Sequence, residues 1–256
     1  MPSNGEAIIV EGVAKRYYLR SMRTRELKTA LLTLPRLFRN GSSREAFWAL
    51  QDVSFKVRHG EGIGLVGPNG SGKSSLLRIV AGISQPTSGR VVTNGKISAL
   101  LELGAGFHPQ ISGRENALIN AVLLGLSLAE AREAMPQIIE FSELGDFIDQ
   151  PMRTYSSGMF VRLGFAVAVH VRPDILVVDE VLAVGDAEFQ SKCFAHMEKL
   201  RDAGVTTVIA SHDLYTIQRY TDHALLLEHG RMIEEGKPAH VLHAYLSRVF
   251  PASQTP

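Results

Sequence analysis

One glycine-rich segment, residues 67–74 with the sequence GPNGSGKS, restricts what this chain can fold into more than any other. A short apolar run at 62–66 precedes it, and residues 74–80 have the pattern of a helix. This succession is typical of a phosphate-binding loop, because glycine lets main-chain N–H groups approach phosphate oxygens closely. The alternative is an accidental match, which average residue usage makes a roughly one per cent event in a chain of this length.

The polar groups of this loop have distinct expected roles. Lys73 is placed to reach the β- and γ-phosphates of a nucleotide, and the Ser74 hydroxyl is placed to ligate Mg²⁺. The N-terminus of the following helix adds the positive end of its dipole. The nucleotide-binding residues predicted in this loop are Gly67, Asn69, Gly70, Ser71, Gly72, Lys73, Ser74 and Ser75.

Composition narrows the remaining possibilities. The chain has 256 residues, 45% hydrophobic and 21% charged, which is ordinary for a globular protein. Its net charge of +1 gives no general attraction to nucleic acid or to an anionic membrane. The single cysteine, Cys193, excludes an internal disulfide. We find no secretion signal and no apolar run of the ~18 residues that span a bilayer. If the protein acts at a membrane, we therefore expect a partner protein to cross it. We expect no covalent membrane anchor on this chain.

Apolar periodicity predicts strands and helices that alternate through the second half of the chain. The predicted strands cover 8–17, 49–57, 62–66, 175–178 and 205–210, with hairpins at Asn94-Gly95 and His229-Gly230. The predicted helices cover 113–125, 128–141, a segment after Ser157, 188–203, a segment after His212, and 238–249. Capping boxes open the first two. The expected fold is therefore α/β, with a parallel sheet wrapped by helices.

A basic insertion at residues 20–45 stands apart from this pattern. Leu27, Leu31 and Leu34 follow the spacing of an amphipathic helix, which we place at 24–38 and which Pro35 interrupts. Two readings stay open: a helix at the membrane face, or a solvated flap packed on its own domain.

A pair of carboxylates follows the buried-strand pattern at 175–178. Asp179 is expected to hold Mg²⁺ opposite Ser74, and Glu180 to orient or deprotonate an attacking water. The alternative is a helix N-terminus that carries favourable negative charge. The phosphate-binding loop upstream favours the ATPase interpretation.

The segment Tyr155-Ser156-Ser157-Gly158-Met159 resembles the signature of the ATP-binding cassette (ABC) family, usually written L-S-G-G-Q. Ser156 and Gly158 match this pattern, whereas the first, third and fifth positions depart from it. By itself the segment reads as a helix cap. In the family, this signature binds the ATP held by the other subunit, which would assign Ser156, Ser157 and Gly158 to a second copy's nucleotide.

The resemblance has further implications for fold and site. It implies one ABC ATPase domain over residues 1–250, with a parallel core sheet, an antiparallel β subdomain, an α-helical subdomain near 104–170, and a tail at 251–256. His212 resembles the switch histidine that contacts the γ-phosphate, although a cap or surface histidine is the alternative. Asp186 resembles the acidic residue of the loop at the dimer interface. Tyr17 resembles the aromatic that stacks on adenine, with Tyr18 as the competing residue. Lys73, Glu180 and His212 are the expected catalytic residues.

One residue usual in the family is missing. The family places a Mg²⁺-sensing glutamine before the helical subdomain, where this chain has Glu102 or Leu103. Glu102 offers an oxygen ligand, and we consider it a candidate Mg²⁺ ligand.

Several sequence segments resemble one branch of the family, the ATPases of bacterial polysaccharide exporters. These segments are residues 47–55, 101–116 and 155–159 and the basic insertion. This resemblance implies ATP and Mg²⁺ as ligands, a homodimer that encloses ATP, separate permease subunits, no nucleic acid, and a place at the cytoplasmic face of the inner membrane. The alternatives are an ABC ATPase for another exported substrate, a non-transport ABC protein, and a kinase or GTPase. The last would not explain residues 155–159.

Overall fold

The computed structural model describes residues 5–19, 45–101, 104, 106–179 and 186–250. The described helices are α1 (Lys73–Val80), α2 (Gly113–Leu123), α3 (Leu128–Ser142), α4 (Ser157–His170), α5 (Ala187–Asp202), α6 (Leu214–Tyr220) and α7 (Pro238–Val249). The described strands are β1 (Glu6–Leu19), β2 (Glu45–Arg58), β3 (Gly62–Val66), β4 (Ser88–Thr93), β5 (Ile97–Leu100), β6 (Ile175–Val178), β7 (Thr206–Ala210), β8 (His223–Glu228) and β9 (Arg231–Gly236). The predicted 24–38 helix lies outside the described residues.

A six-stranded sheet forms the centre of the molecule, in the order β5-β6-β7-β3-β8-β9. Neighbouring strands are parallel except for β9, which returns beside β8 through the predicted turn at His229-Gly230. The three central strands β3, β6 and β7 are buried along their whole length, because helices or the second sheet cover both faces. This arrangement confirms the expected α/β class.

A second, antiparallel sheet has the order β2-β1-β4. Helix α1 lies between the two sheets, and its Leu76 and Leu77 share one hydrophobic core with Val10 and Val53 of the small sheet and Val208 of the large one. The helix that follows the phosphate loop therefore packs against both sheets and is buried where it meets each of them.

The hairpin predicted at Asn94-Gly95 is wrong. These residues carry the chain from the small sheet to the large one, since β4 pairs with β1 whereas β5 pairs with β6. The Asn94 amide donates to the Ala7 carbonyl at 2.8 Å, and the Lys96 amide donates to Asp174 Oδ2 at 2.7 Å. Each side of the turn is thus bonded to a different sheet.

Helices α2, α3 and α4 pack against one another and lie on the opposite face of the large sheet from α1. Both predicted capping boxes are present: Ser112 with Glu115, and Ser127 with Glu130. None of the described helices has the length and apolar character needed to cross a membrane.

Candidate active site

The glycine-rich loop lies between β3 and α1, and close neighbours require its glycines. Gly67 and Gly72 have φ angles of 147° and 111°, which residues with a side chain rarely adopt. A Cβ atom on Gly67 would lie 2.1 Å from the Leu227 carbonyl oxygen, and one on Gly72 would lie 2.5 Å from the Ala49 carbonyl oxygen. The loop is therefore held between β8 and β2 in a conformation that only glycine permits.

The side chain of Lys73 is folded back over this loop. Its ammonium donates to the carbonyl oxygens of Gly67 and Pro68, at 2.8 and 3.1 Å. The Gly230 amide, from the β8–β9 turn, donates to the Ser71 carbonyl oxygen at 2.9 Å. Gly70, by contrast, has nothing within 4 Å of its Cβ position. These hydrogen bonds fix the loop against the rest of the protein, while the loop stays open at Gly70. Such a loop fits a phosphate group at the N-terminus of α1.

The parallel strands bring the other predicted residues to the same edge of the sheet. Asp179 directly follows β6, and His212 lies two residues beyond β7, which separates β6 from β3. Because parallel strands end at one edge, the phosphate loop, Asp179 and His212 border one crevice outside the carboxyl ends. Residues more than 100 positions apart in sequence therefore share this edge.

The residues at this edge fit a nucleotide that carries Mg²⁺. Ser74 is exposed in the first turn of α1, and Asp179 is half-buried. Mg²⁺ in nucleotide sites is held by one or two protein oxygens together with phosphates and water, and a hydroxyl and a carboxylate supply the protein oxygens here. Among the described residues, no group of three or more His, Cys, Asp or Glu forms a metal site on its own.

The side chain of His212 is exposed, and it does not cap the helix that follows. That role belongs to Asp213, whose carboxylate accepts from the amides of Tyr215 and Thr216 at 3.1 and 3.2 Å. Asp213 rather than His212 thus caps α6, which contradicts the cap alternative, whereas the exposure of His212 agrees with the surface-histidine alternative. Its contact with a γ-phosphate stays a prediction.

The signature segment has a different geometry from the phosphate loop. Ser156 is the N-cap of α4 and accepts from the Met159 amide at 3.2 Å, so the simple cap interpretation is also correct. Ser157 and Gly158 form the first turn. A Cβ atom on Gly158 would meet only Ser156 Oγ, at 3.9 Å. A groove of about 510 Å³ opens beside this turn, lined in part by Phe147 and Met159.

Asp186 is connected to the signature helix through Arg162. The guanidinium of Arg162 bonds Asp186 Oδ2 at 2.5 Å and Glu143 Oε2 at 2.8 Å, and it lies over the Phe189 ring. Asp186 is also the N-cap of α5, and the hydrogen bond from the Phe189 amide, followed by the charge of Arg162, lowers the pKa of its carboxyl group. The predicted dimer-loop residue Asp186 is therefore bonded to a side chain of the helix that the signature opens.

Arg162 was not among the residues singled out from the sequence. The available signal was a guanidinium within the apolar run from Phe160 to Val171, one helical turn after Gly158. A charge on the buried side of a helix needs a partner, but the sequence does not say which carboxylate supplies it.

Tyr17 and Tyr18 lie on opposite faces of the β1–β2 pair, because neighbouring strand residues alternate. Tyr17 is opposite Phe47 in register, and the Lys15 ammonium lies 5.2 Å from the centre of its ring. Tyr18 lies instead beside Arg16, whose guanidinium also stacks on Trp48. Only one of the two tyrosines can therefore face a nucleotide on the loop.

Three predictions fall outside the part of the chain that the structure describes: Glu102, Glu180 and the 24–38 helix. The residues directly before Glu102 and Glu180, Leu101 and Asp179, are described. Gly104 is in contact with Phe160 of α4, and Asp179 directly follows its strand as expected. The roles of Glu102 and Glu180 stay predictions.

Comparison with known proteins places this geometry in a family. Residues 50–183 match the family described as "ABC transporter". The chain is 47% identical to the O-antigen export system ATP-binding protein RfbB of Myxococcus xanthus, over 96% of this chain and 56% of that protein. It is 48% identical to a protein of the same name from Klebsiella pneumoniae, over 78% of this chain and 81% of that one. The chain thus spans little more than half the length of the Myxococcus relative.

Solved structures share the fold at lower identity. A dimeric ATP-binding cassette in a post-hydrolysis state, bound to ADP and Pi, matches with a TM-score of 0.71 at 21% identity, over 90% of this chain and 98% of that one. An ATP-binding subunit of an ABC transporter matches with a TM-score of 0.71 over 97% of this chain and 95% of that one. Three observations support the same family: the motifs, their meeting at one edge of the sheet, and the family match over just over half the chain. The chain belongs to the ABC transporter family.

Proposed function

We propose that this chain binds and hydrolyses ATP to drive a transporter that exports a lipid-linked bacterial surface polysaccharide. The observation that carries the ATPase part is the meeting of the phosphate loop, Asp179 and His212 at one edge of the sheet. The relatives support the export part, since two are named for O-antigen export, and a third, 40% identical, is the teichoic acids export ATP-binding protein TagH of Lactococcus lactis.

The residues at the sheet edge have separate roles in this proposal. Lys73 and the amides of the loop bind and offset the phosphate charge, and the main chain of the loop is already shaped for this role. Ser74 and Asp179 hold Mg²⁺, which supplies charge stabilisation when bound, with Glu102 as a further candidate ligand. Glu180 orients the attacking water and accepts its proton, and His212 contacts the γ-phosphate. Tyr17 stacks on the adenine.

The signature residues act on the nucleotide of a second copy. Ser156, Ser157 and Gly158 present a hydroxyl group and amides at a helix N-terminus that borders an open groove. Such a terminus binds phosphate, and here no part of the described chain covers it. Two copies that meet head to tail therefore each complete the other's site, with Asp186 near the contact.

In this arrangement the chain is peripheral to the inner membrane, at its cytoplasmic face. In this proposal separate permease subunits span the bilayer, and none of the described helices has the length and apolar character to do so. ATP binding closes the dimer and hydrolysis opens it, which supplies the permease with two states. The relatives' names, rather than any sugar site on this chain, support the substrate class.

The ATPase part is tested with the Glu180→Gln variant. We expect it to bind ATP and form a stable dimer with Mg²⁺–ATP, while its turnover falls at least about a hundredfold relative to the wild type, because the group that accepts the proton of water is gone. Light scattering and phosphate release measure the two quantities. Hydrolysis near the wild-type rate would remove Glu180 from its role, and a monomer at saturating nucleotide would contradict the shared site.

The export part is tested in the source bacterium. Deletion of the gene is expected to leave lipid-linked polymer inside the cell and to strip it from the surface, as seen on gels of extracted polysaccharide. Wild-type protein should restore the surface polymer and the Glu180→Gln variant should not. Normal surface polymer in the deletion strain would refute polysaccharide export even if the purified chain hydrolyses ATP.

A further inference from the structure

Helix α6 begins two residues after His212 and is attached to the molecule on two sides. On its inner side it packs on β3, the strand that leads into the phosphate loop. A Cβ atom at Gly64 of that strand would lie 2.8 Å from Ile217, and one at Gly62 would lie 2.7 Å from the Tyr220 carbonyl oxygen. Glycines in β3 therefore let this short helix lie directly against the strand.

On its outer side α6 is bound to α5 by the side chain of Arg219. The Nε and Nη2 atoms of Arg219 donate to Glu198 Oε1 of α5, at 3.1 and 2.7 Å. Its Nη1 atom donates to the hydroxyl of Tyr215, in the first turn of α6, at 2.8 Å. One planar guanidinium thus joins a carboxylate of α5 to the turn that follows His212, which a point charge could not do.

Three further contacts hold the same pair of helices, and one of them is a hydrogen bond of 3.4 Å from the Tyr220 hydroxyl to Glu198 Oε1. Arg201 of α5 donates to the carbonyl oxygen of Arg219 at 3.0 Å, where α6 ends. The rings of Phe194 and Tyr220 are stacked, with centres 5.4 Å apart and planes at 15°. The far end of α6 is therefore fixed, and Arg219 is the contact that reaches back toward its first turn.

Asp186, the N-cap of α5, is the residue that Arg162 joins to the signature helix. A continuous set of contacts therefore runs from the signature helix through Asp186, α5, Glu198 and Arg219 to Tyr215, three residues after His212. We infer that Arg219 is a positioning residue, which sets His212 according to the placement of α5. This inference rests on the proposed role of His212 in ATP hydrolysis.

The pair that Arg219 forms with Glu198 is half exposed, with side-chain exposures of 50% and 44%. Ion pairs of this exposure contribute little to folding. A purely structural role therefore predicts a small effect on stability and none on turnover. A positioning role predicts a lower kcat at unchanged KM for ATP, because nucleotide binding depends on the phosphate loop rather than on α6.

The test compares Arg219→Gln with Arg248→Gln in the purified chain with Mg²⁺–ATP. Arg248 is a matched control: it bonds Glu228 of β8 at 2.9 Å and its side chain is 49% exposed, so its replacement breaks a similar ion pair outside the α5–α6 contacts. We expect Arg219→Gln to lower kcat about fivefold or more, with KM within about twofold, whereas Arg248→Gln leaves both near wild type.

Two more variants keep the test decisive if Arg219→Gln folds poorly. Tyr215→Phe removes only the hydroxyl that accepts from Arg219, and it should lower kcat in the same direction. Arg219→Lys should rescue only part of the activity, because one ammonium cannot bond Glu198 and Tyr215 in the same way. Equal kcat values for Arg219→Gln, Tyr215→Phe and Arg248→Gln would overturn the inference. Absence of hydrolysis in the wild type would instead refute the proposed function.

Discussion

The phosphate loop and the signature segment both present main-chain amides at a helix N-terminus, yet their surroundings differ. Gly67 and Gly72 lie so close to neighbouring carbonyl oxygens that a Cβ atom would approach them to 2.1 and 2.5 Å. Gly158 has nothing nearer than 3.9 Å. The surroundings of the phosphate loop are therefore formed by the same copy of the chain, whereas the signature segment is open on its outer side.

This difference explains which departures from the family pattern the chain tolerates. The phosphate loop keeps Gly67 and Gly72, because its own fold already fills the space around these two glycines. The signature has Ser157 where the family has glycine, and the folded chain has room for a side chain there. The loop's own neighbours therefore restrict the phosphate loop, whereas in the proposed dimer the partner's nucleotide would restrict the signature.

The sharpest way to break this comparison is to place the same methyl group at both sites. Gly67→Ala should destabilise the chain by about 3 kcal/mol, since it adds a clash with Leu227 to an unfavourable φ. Gly158→Ala should change stability by less than about 0.5 kcal/mol. ATP hydrolysis by Gly158→Ala should nevertheless fall about tenfold, because in the proposed dimer the methyl group would meet the partner's nucleotide.

Urea unfolding and phosphate release measure the two effects. Gly70→Ala is the control within the loop, since its φ is 78° but its Cβ position is open, and it should cost only about 1 kcal/mol. Equal stability losses at Gly67 and Gly158 would contradict the distinction between a self-contained site and an open one.

A smaller effect is expected at Arg162, which holds the open site in place. Arg162→Gln should lower the thermal midpoint by about 2–4 °C and hydrolysis about fivefold, because Asp186 and Glu143 lose their common partner. Arg114→Gln, which breaks the exposed pair with Asp149, should leave hydrolysis near wild type. If both variants behave alike in the ATPase assay, the link between signature and dimer loop has no functional role.

The same pair of carboxylates sets a pH dependence. The hydrogen bond from the Phe189 amide lowers the pKa of Asp186, and Lys192, with a smaller contribution from Arg162, lowers that of Glu143. Their contribution to stability is therefore complete above the ordinary carboxyl pKa of about 4 and is lost as pH falls through the lower folded values. The stability difference between wild type and Arg162→Gln should shrink below about pH 4.

The smallest expected effect also lies on the signature side. His170, which ends α4, and His196 of α5 pack together against Phe141, with ring centres 5.0 Å apart. Burial lowers the pKa of both imidazoles, and Lys192 and Lys199 act in the same direction. The unfolded chain therefore takes up protons first, so stability should fall as pH drops below about 6.5.

His196→Gln removes one of these imidazoles and should reduce the loss of thermal midpoint between pH 7 and 5.5 by about 2 °C. His243→Gln, at an exposed position on α7, should not change it. The phosphate loop contains no histidine. Of the two regions compared, only the one with α4 and α5 therefore has a histidine contact that acid can break. The same slope in the wild type and in His196→Gln would refute this assignment.

Much of the fold could be predicted because its signals are local. The capping boxes at Ser112 and Ser127 depend on residues three apart, and the turn at His229-Gly230 joins two strands that do pair. The turn at Asn94-Gly95 shows where this reasoning fails. It has the same local chemistry, but β4 and β5 each find a partner about 80 residues away.

The sequence by itself determined the phosphate loop, the strand before it, the helix after it and the serine that caps α4. Glycine spacing, apolar periodicity and capping act over a few residues, and they hold whatever the rest of the chain does. Only the tertiary structure decided which strands are neighbours, which carbonyls lie against Gly67 and Gly72, and which carboxylates Arg162 and Arg219 bind. Those choices depend on burial and pairing between distant segments, and no short stretch of sequence records them.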